Sequence, residues 1–367
     1  MLFGCKLTLR ICQMPYRNRM YRSRGLRIVL LIFIGVFFSM YFLSGMSKDW
    51  IMSTYYDHRG YLMSRREENK FNLQEIARTL RLPNQINPTN LADFKKSFFN
   101  YVDPKTIIIT KQNMKVGEEV GIYFDTTVKI RVDEDFYSLL PDGLPLKKTY
   151  SKCSLVGSSG ILSGSHCGKQ IDGSEFVIRM NAPPLQNFST DVGLKANLTT
   201  MNPSIVSKKY FYLIRKTDKD SFLSKMREFK TYLYIPVFST PIGFDISVNV
   251  AKTIKNISSY PVKPLFMHPD HFLASSKFWK SSGITAERIS SGLYMVSVAI
   301  TLCNEINLFG FWPFHYDHNN KTVDYHYYGQ GFVPLPKVHH FAEEFKLLLD
   351  LHDRGVLKMH VGTCNEP

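Results

Sequence analysis

No acidic residue occurs in the first 27 positions, although Lys6, Arg10, Arg17, Arg19, Arg22, Arg24 and Arg27 all do. Those side chains supply nearly half of the +15 net charge that 46 basic and 31 acidic residues leave on the 367-residue chain. No charge of either sign occurs from Ile28 to Met46, IVLLIFIGVFFSMYFLSGM. At ~1.5 Å per residue that run nearly spans a ~30 Å hydrocarbon layer. It also lacks the short apolar region and small-residue cleavage site of a removable signal peptide, which predicts an uncleaved N-terminal transmembrane helix, 28–46, acting as signal anchor. The positive-inside rule then puts residues 1–27 in the cytoplasm and everything after Met46 in the lumen, a single-pass type II arrangement. Basic residues abutting an apolar span are accounted for as topology signals, which argues against a nucleic-acid arm. Between Phe71 and Pro367 there is no internal repeat, low-complexity tract or second linker. One luminal domain, 71–367, is expected behind a short polar stem, 47–70.

What is present fits a secretory compartment. Cys5 and Cys12 fall on the cytosolic side, where they are near enough to the membrane for palmitoylation but are expected as plain thiols. Cys153, Cys167, Cys303 and Cys364 fall in the lumen, an even number that predicts two disulfides with three pairings open. Asn187-Phe-Ser, Asn197-Leu-Thr, Asn256-Ile-Ser and Asn320-Lys-Thr are N-glycosylation acceptors, whereas Asn87-Pro-Thr is excluded by its proline.

Periodicity predicts helices over Phe71–Leu82, closed by Pro83, and over 91–99. Strands are expected at Thr106–Thr110, Val120–Phe124 and Val128–Val132, then at Cys153–Val156, Phe176–Arg179, Tyr232–Val237 and Ile306–Phe309. Gly292–Cys303 reads as an apolar helix between two of them. Strands alternating with helices imply an α/β sheet.

The strand-to-glycine turn CSLVGSSGILSG is the kind of element that brings backbone amides to a phosphate, although its G-x-x-G-x-x-x-G spacing does not fit the dinucleotide fingerprint. The stretch that follows, CGKQIDGSEFVIRMNAPPLQNFSTDVGLKANLTTMNPSIV, resembles the large sialyl motif of animal sialyltransferases. The small motif is matched by HPDHFLASSKFWK and ISSGLYMVSVAITLCNEINLFGFWPF, the third by His326-Tyr-Tyr-Gly329 and the very small His-x4-Glu by His339 to Glu344. Four motifs in order over 153–344 identify the chain as a member of that family. GFWPF and RMNAPPL are similar to its alpha-2,8 branch, the latter to enzymes that add one or a few sialic acids.

The resemblance implies a GT-A-like variant with a Rossmann-type, mostly parallel sheet flanked by helices. It implies a metal-free CMP-sialic acid donor, a sialylated glycolipid or glycoprotein acceptor, a Golgi membrane location and no nucleic acid, and it allows a homo-oligomer. It implies His339 as general base and His326 as donor to the departing phosphate; His340 is the rival base, but only His339 has the four-residue gap to Glu344. Gly157, Ser158, Ser159, Asn181, Ser290, Ser291 and Gly292 are expected to line the nucleotide site, with Trp312 packed against it. Ser290 as a helix cap, Gly292 as a helix start and Trp312 as core are the plainer roles. The implied disulfides are Cys153–Cys303 and Cys167–Cys364.

Two Asp-x-Asp strings, Asp133-Glu-Asp135 and Asp218-Lys-Asp220, fall outside the four motifs and are expected to be solvated carboxylates with no metal. The chain departs from its relatives at Ser158, often Asn, and at Gly329, usually acidic, which points to altered donor affinity or to a weakly active sialoglycan-binding Golgi protein as an alternative. Alpha-2,3 or alpha-2,6 transfer to galactose or N-acetylgalactosamine is the alternative within the family. The net positive luminal charge suits an anionic donor and an anionic acceptor.

Overall fold

The computed structural model describes residues 71–82, 85–147, 149–329 and 339–364. The predicted tail (1–27), membrane span (28–46) and stem (47–70) lie outside the described residues. Among the described residues no helix is long and apolar enough to cross a membrane.

In chain order the helices are α1 (Leu73–Arg81), α2 (Pro88–Phe99), α3 (Glu134–Leu139), α4 (Gly168–Asp172), α5 (Ser189–Val192), α6 (Pro203–Tyr210), α7 (Lys216–Met226), α8 (Pro241–Lys255), α9 (Pro269–Ser281), α10 (Ser291–Leu302) and α11 (Phe341–Asp353). The strands are β1 (Glu119–Ile122), β2 (Asp125–Arg131), β3 (Cys153–Val156), β4 (Phe176–Arg179), β5 (Leu198–Thr200), β6 (Tyr232–Ile235), β7 (Lys263–Phe266), β8 (Ile306–Phe309) and β9 (Lys358–His360). β1 and β2 form an antiparallel hairpin. The other seven strands form a wholly parallel sheet in the order β7-β6-β5-β4-β3-β8-β9. Every residue of β3, β4 and β8 is buried, as expected of strands covered by helices on both faces.

The strand order places the site. From β3 the chain winds outward through β4, β5, β6 and β7, then returns to the other side of β3 as β8. Where the order reverses, the connections leaving the carboxyl ends of the two strands diverge and open a crevice. Here those connections leave from Gly157 after β3 and Gly310 after β8. The Gly157 N–H donates to the Phe309 carbonyl at 2.7 Å, and a Cβ on Gly157 would lie 2.4 Å from the Gly310 oxygen. Gly310 itself has φ +71°, so the crossing needs glycine on both strands.

Three expectations are revised in detail. Thr106–Thr110 is not a strand: Pro104–Thr106 is a 3-10 turn and Ile108 makes a single antiparallel bridge to Met267. Ile107, Ile108 and Ile109 are nonetheless buried, with the Tyr234 hydroxyl donating to the Ile107 carbonyl and the Asn113 side chain accepting from Thr110 N–H at 2.7 Å. Beside the single backbone bond from Ile109 N–H to the Phe266 carbonyl at 2.9 Å, side chains there take the place of a continued ladder. The second helix begins earlier than expected, at Pro88, because Asn87 accepts from the Thr89 and Asn90 N–H groups and Pro88 pre-sets the first turn. β6 stops at Ile235, one residue before Pro236.

The disulfides join Cys153 to Cys303 and Cys167 to Cys364, the pairing implied by the resemblance. The first ties the start of β3 to the end of α10, and the second ties the segment before α4 to the C-terminal strand's exit.

Candidate active site

A cleft of about 330 Å³ opens at the β3/β8 crevice. Gly157, Ser158 and Ser159 after β3, Asn181 after β4, and Ser290, Ser291 and Gly292 at the start of α10 all line it. So do Trp312 after β8 and the two histidines His326 and His339. The structure therefore brings every sequence-predicted catalytic and donor-site residue to one cavity from six separate stretches of chain.

Backbone geometry fixes the floor. The Ser158 carbonyl accepts from the Tyr327 N–H at 2.9 Å, so the glycine turn grips the segment carrying His326 through its main chain, whatever side chain occupies 158. A Cβ on Gly160 would lie 2.4 Å from the Asp324 carbonyl, which seals the turn against the residues preceding His326. Asn181 sits at φ +60°, a region asparagine tolerates better than most, and its N–H donates to Thr200 Oγ1 at 2.9 Å. Trp312 is buried, its indole N–H donating to the Tyr316 carbonyl at 2.9 Å and its ring set edge-on to Phe314 and Phe345. It forms a wall of the cleft and part of the core together.

The N-terminus of α10 forms another wall. Ser290 caps it, its Oγ accepting from Leu293 N–H at 3.1 Å. The same hydroxyl donates to Glu344 Oε2 at 2.5 Å, and the Ser290 N–H donates to Glu344 Oε1 at 2.7 Å. Burial pushes the Glu344 carboxyl up to about 7, against the two hydrogen bonds from Ser290 that favour its ionised form.

The histidines differ in setting. His339 Nδ1 lies 2.9 Å from the Arg288 carbonyl. A carbonyl can only accept, so Nδ1 carries a proton, and in the neutral ring Nε2 is the nitrogen with the lone pair. His340 does not line the cleft; its Nδ1 is 3.0 Å from both Thr285 Oγ1 and Glu343 Oε1 on the exposed start of α11. The His326 ring stacks on Tyr328 at 4.8 Å, and burial lowers its pKa below the usual histidine value.

The aspartate strings lie elsewhere. Asp133 caps α3 through the Phe136 N–H at 2.7 Å, Asp135 pairs with Lys252 at 2.9 Å and Asp218 pairs with Arg215 at 3.1 Å. Of the four sequons, Asn187, Asn256 and Asn320 are exposed, whereas Asn197 is half-buried with its Oδ1 accepting from Val177 N–H at 2.8 Å.

Glu344 and Asn202 are among the cleft residues not anticipated from sequence. Glu344 was read only as the end of a motif. Asn202 stands at the N-cap position of α6 but makes no capping bond with its side chain; it lines the cleft instead, its N–H donating to Asn181 Oδ1 at 3.3 Å. Asparagine followed by proline at a helix start is the signal that could have marked it.

With this geometry in view, the profile of Glycosyltransferase family 29 (sialyltransferase) matches residues 108–356. A Xenopus tropicalis protein named alpha-N-acetylneuraminide alpha-2,8-sialyltransferase is 38% identical over 283 residues, covering 76% of this chain and 81% of that one. A Bos taurus protein of the same name is 36% identical over 285 residues, with 76% and 78% covered. The Mus musculus alpha-2,8-sialyltransferase 8F is 34% identical over 296 residues, with 80% and 73% covered.

Proposed function

Because this chain belongs to the sialyltransferases of glycosyltransferase family 29, we propose that it transfers sialic acid from CMP-sialic acid, with inversion, to the 8-hydroxyl of a terminal sialic acid on a glycolipid or glycoprotein glycan. The linkage is supported by relatives at 34% to 38% identity that are named alpha-2,8-sialyltransferases. The luminal fold is read as a GT-A-like variant on a type II Golgi anchor, and phosphate charge is met by protein groups without a metal.

The observation that carries the mechanism is the fixed tautomer of His339. Transfer breaks the bond from sialic acid C2 to the CMP phosphate, leaving an oxocarbenium-like centre, while the attacking hydroxyl loses a proton. With its Nδ1 proton donated to Arg288, His339 offers Nε2 to take that proton; the hydroxyl oxygen bonds to C2 and the electron pair of the broken bond leaves on the phosphate. His326, desolvated and neutral in the free cleft, meets the departing phosphate. An anion beside it favours the imidazolium, which donates to the leaving oxygen. The Ser158 amide, beside turn amides that donate to backbone carbonyls, and the positive end of α10 are proposed to face the same charge.

The test is a panel of sialylated and asialo lipids, O-glycoproteins and N-glycoproteins incubated with CMP-sialic acid, with linkage analysis of the product. Alpha-2,8-linked sialic acid on sialylated acceptors alone is expected. Transfer to galactose-terminated acceptors would replace the linkage assignment, and no transfer to any acceptor would favour a sialoglycan-binding role.

A further inference from the structure

Residues 282–290 join α9 to α10 without regular structure and carry the carbonyl that meets the proposed base. Their apolar side is buried through Ile284, Ala286 and Ile289. Two polar contacts reach this segment from α11, which follows His339 directly. Thr285 donates through its N–H and its hydroxyl to the two oxygens of Glu343, at 2.9 Å and 2.7 Å, and Ser290 donates twice to Glu344. Both acids belong to the stretch of chain that carries His339, so these contacts move with the base. Between them stands Arg288, whose carbonyl lies 2.9 Å from His339 Nδ1. A segment fastened at 285 and 290 is least constrained near its middle, and any displacement at 288 falls directly on this hydrogen bond.

The β1–β2 hairpin meets that middle from outside. The Arg288 guanidinium lies over the Phe124 ring, 3.9 Å from its centroid, well inside the roughly 6 Å over which an aromatic face attracts a guanidinium. Tyr123 and Phe124 form the hairpin's tip and differ in setting. Tyr123 is buried and stacked on Phe272 of α9 at 4.9 Å, its N–H donating to the Phe238 carbonyl at 2.7 Å and its hydroxyl to the Met267 carbonyl at 2.8 Å. Phe124 is 38% exposed and stands nearly perpendicular to Phe272 at 6.1 Å. Tyr123 therefore fastens the tip to the core and leaves Phe124 turned to Arg288. Glu287 also lies 3.4 Å from Arg288 Nε, but as the preceding residue it moves with the segment itself.

We propose that Phe124 is a positioning residue for His339: through the Arg288 guanidinium it holds the 288 carbonyl against the imidazole and so keeps the ring's proton on Nδ1. No hairpin residue lines the cleft, so this contact is the hairpin's route to the reaction. The consequence for rate rests on the base reading of His339 above; the contact and its effect on the ring do not.

The full chain in detergent micelles, with isotopically labelled histidine, tests both parts. Ring-nitrogen shifts of His339, identified by their loss in His339→Ala, are expected in the wild type to show a protonated Nδ1 and an unprotonated Nε2 for the neutral ring. In Phe124→Leu the two shifts are expected to move toward each other as tautomers mix, and in Phe124→Tyr, which restores the ring, to return. Unchanged shifts in Phe124→Leu, or no recovery in Phe124→Tyr, overturn the proposal. The kcat of Phe124→Leu is expected to fall about fivefold, the size of one partly exposed cation–π contact, with the KM for donor and Tm unchanged. In a His339→Ala background the same substitution is expected to cost nothing further, because a residue that acts through His339 then has nothing to position. A loss that persists in that background overturns the positioning role, and an unchanged kcat alongside mixed tautomers overturns the consequence for rate. Wild-type turnover in His339→Ala, with tautomers still mixed in Phe124→Leu, removes the base reading and leaves the contact standing.

Discussion

Glu344 accepts two hydrogen bonds from a single residue, Ser290, at 2.7 Å from its N–H and 2.5 Å from its hydroxyl. The pair joins α11, which follows His339 directly, to the capped start of α10, so the proposed base and the proposed phosphate wall are fastened through one carboxyl. It also makes the fastening sensitive to pH.

The first prediction follows from the direction of that shift. Burial raises the folded-state value of Glu344 from the ordinary 4.5 to about 7, so between those values the folded chain holds a proton that the unfolded chain has lost. The contribution is fully present below the unfolded value and is lost as pH rises through the folded one, about 3 kcal/mol in all. Glu344→Gln keeps the shape without the charge. The difference in Tm between wild type and variant, followed from pH 4 to pH 8, is expected to move in the variant's favour as pH rises. A constant difference would place the carboxyl in an unshifted state.

The second prediction contrasts two glycines of the same cleft. A Cβ at Gly157 would lie 2.4 Å from the Gly310 carbonyl, whereas at Gly292 its nearest neighbours, Phe311 Cε1 and Ser290 Oγ, are at 3.4 Å. Gly157→Ala is expected to cost about 3 kcal/mol or more, because backbone on the facing strand must move. Gly292→Ala lies in the first turn of α10 and is expected to leave stability within about 1 kcal/mol of the wild type while raising the KM for donor. Thermal unfolding and donor kinetics on the two variants separate these effects; equal Tm losses would contradict the contrast.

The legible part of the fold was its centre. β3, β4 and β8 are buried on both faces and therefore read as continuous apolar runs, and the glycines that follow β3 mark the turn. β5, β7 and β9 were missed for physical reasons: Leu198–Thr200 and Lys358–His360 are three residues each, and Lys263–Phe266 carries Pro264. None of these has enough side chains to display a period. At the site, residue identities came from the motif resemblance, but the Ser290–Glu344 contact joins positions 54 apart in sequence, and only the packing of α11 against α10 brings them together. Thr106–Thr110 misled for the opposite reason: its apolar run is buried, as a strand's would be, but beyond one bridge to the end of β7 its backbone is met by the Tyr234 and Asn113 side chains.

Metal independence is the third prediction. The two aspartate strings are engaged in a helix cap and in ion pairs away from the cleft, and the groups facing the proposed phosphate are histidine, backbone amides and a helix start. Full activity is expected in EDTA. Loss of activity with recovery on adding manganese would overturn the histidine-based account.

The last prediction separates three histidines. Removing a positioned base costs about 10² to 10⁴ in rate, and His339, with Nδ1 donated to Arg288, is the residue whose Nε2 is proposed to face the acceptor. His339→Ala is expected to lower kcat by that factor with CMP affinity nearly unchanged, since the proposed base would touch acceptor and not nucleotide. His326→Ala is expected to lower kcat and weaken donor binding together, because its ring is proposed to meet the phosphate in both the bound and the departing state. His340→Ala removes contacts to Thr285 and Glu343 on the exposed start of α11, outside the cleft, and is expected to change kcat by less than about threefold. Wild-type turnover in His339→Ala together with inactivity of a folded His340→Ala would move the base one residue along and detach the mechanism from the Arg288 contact.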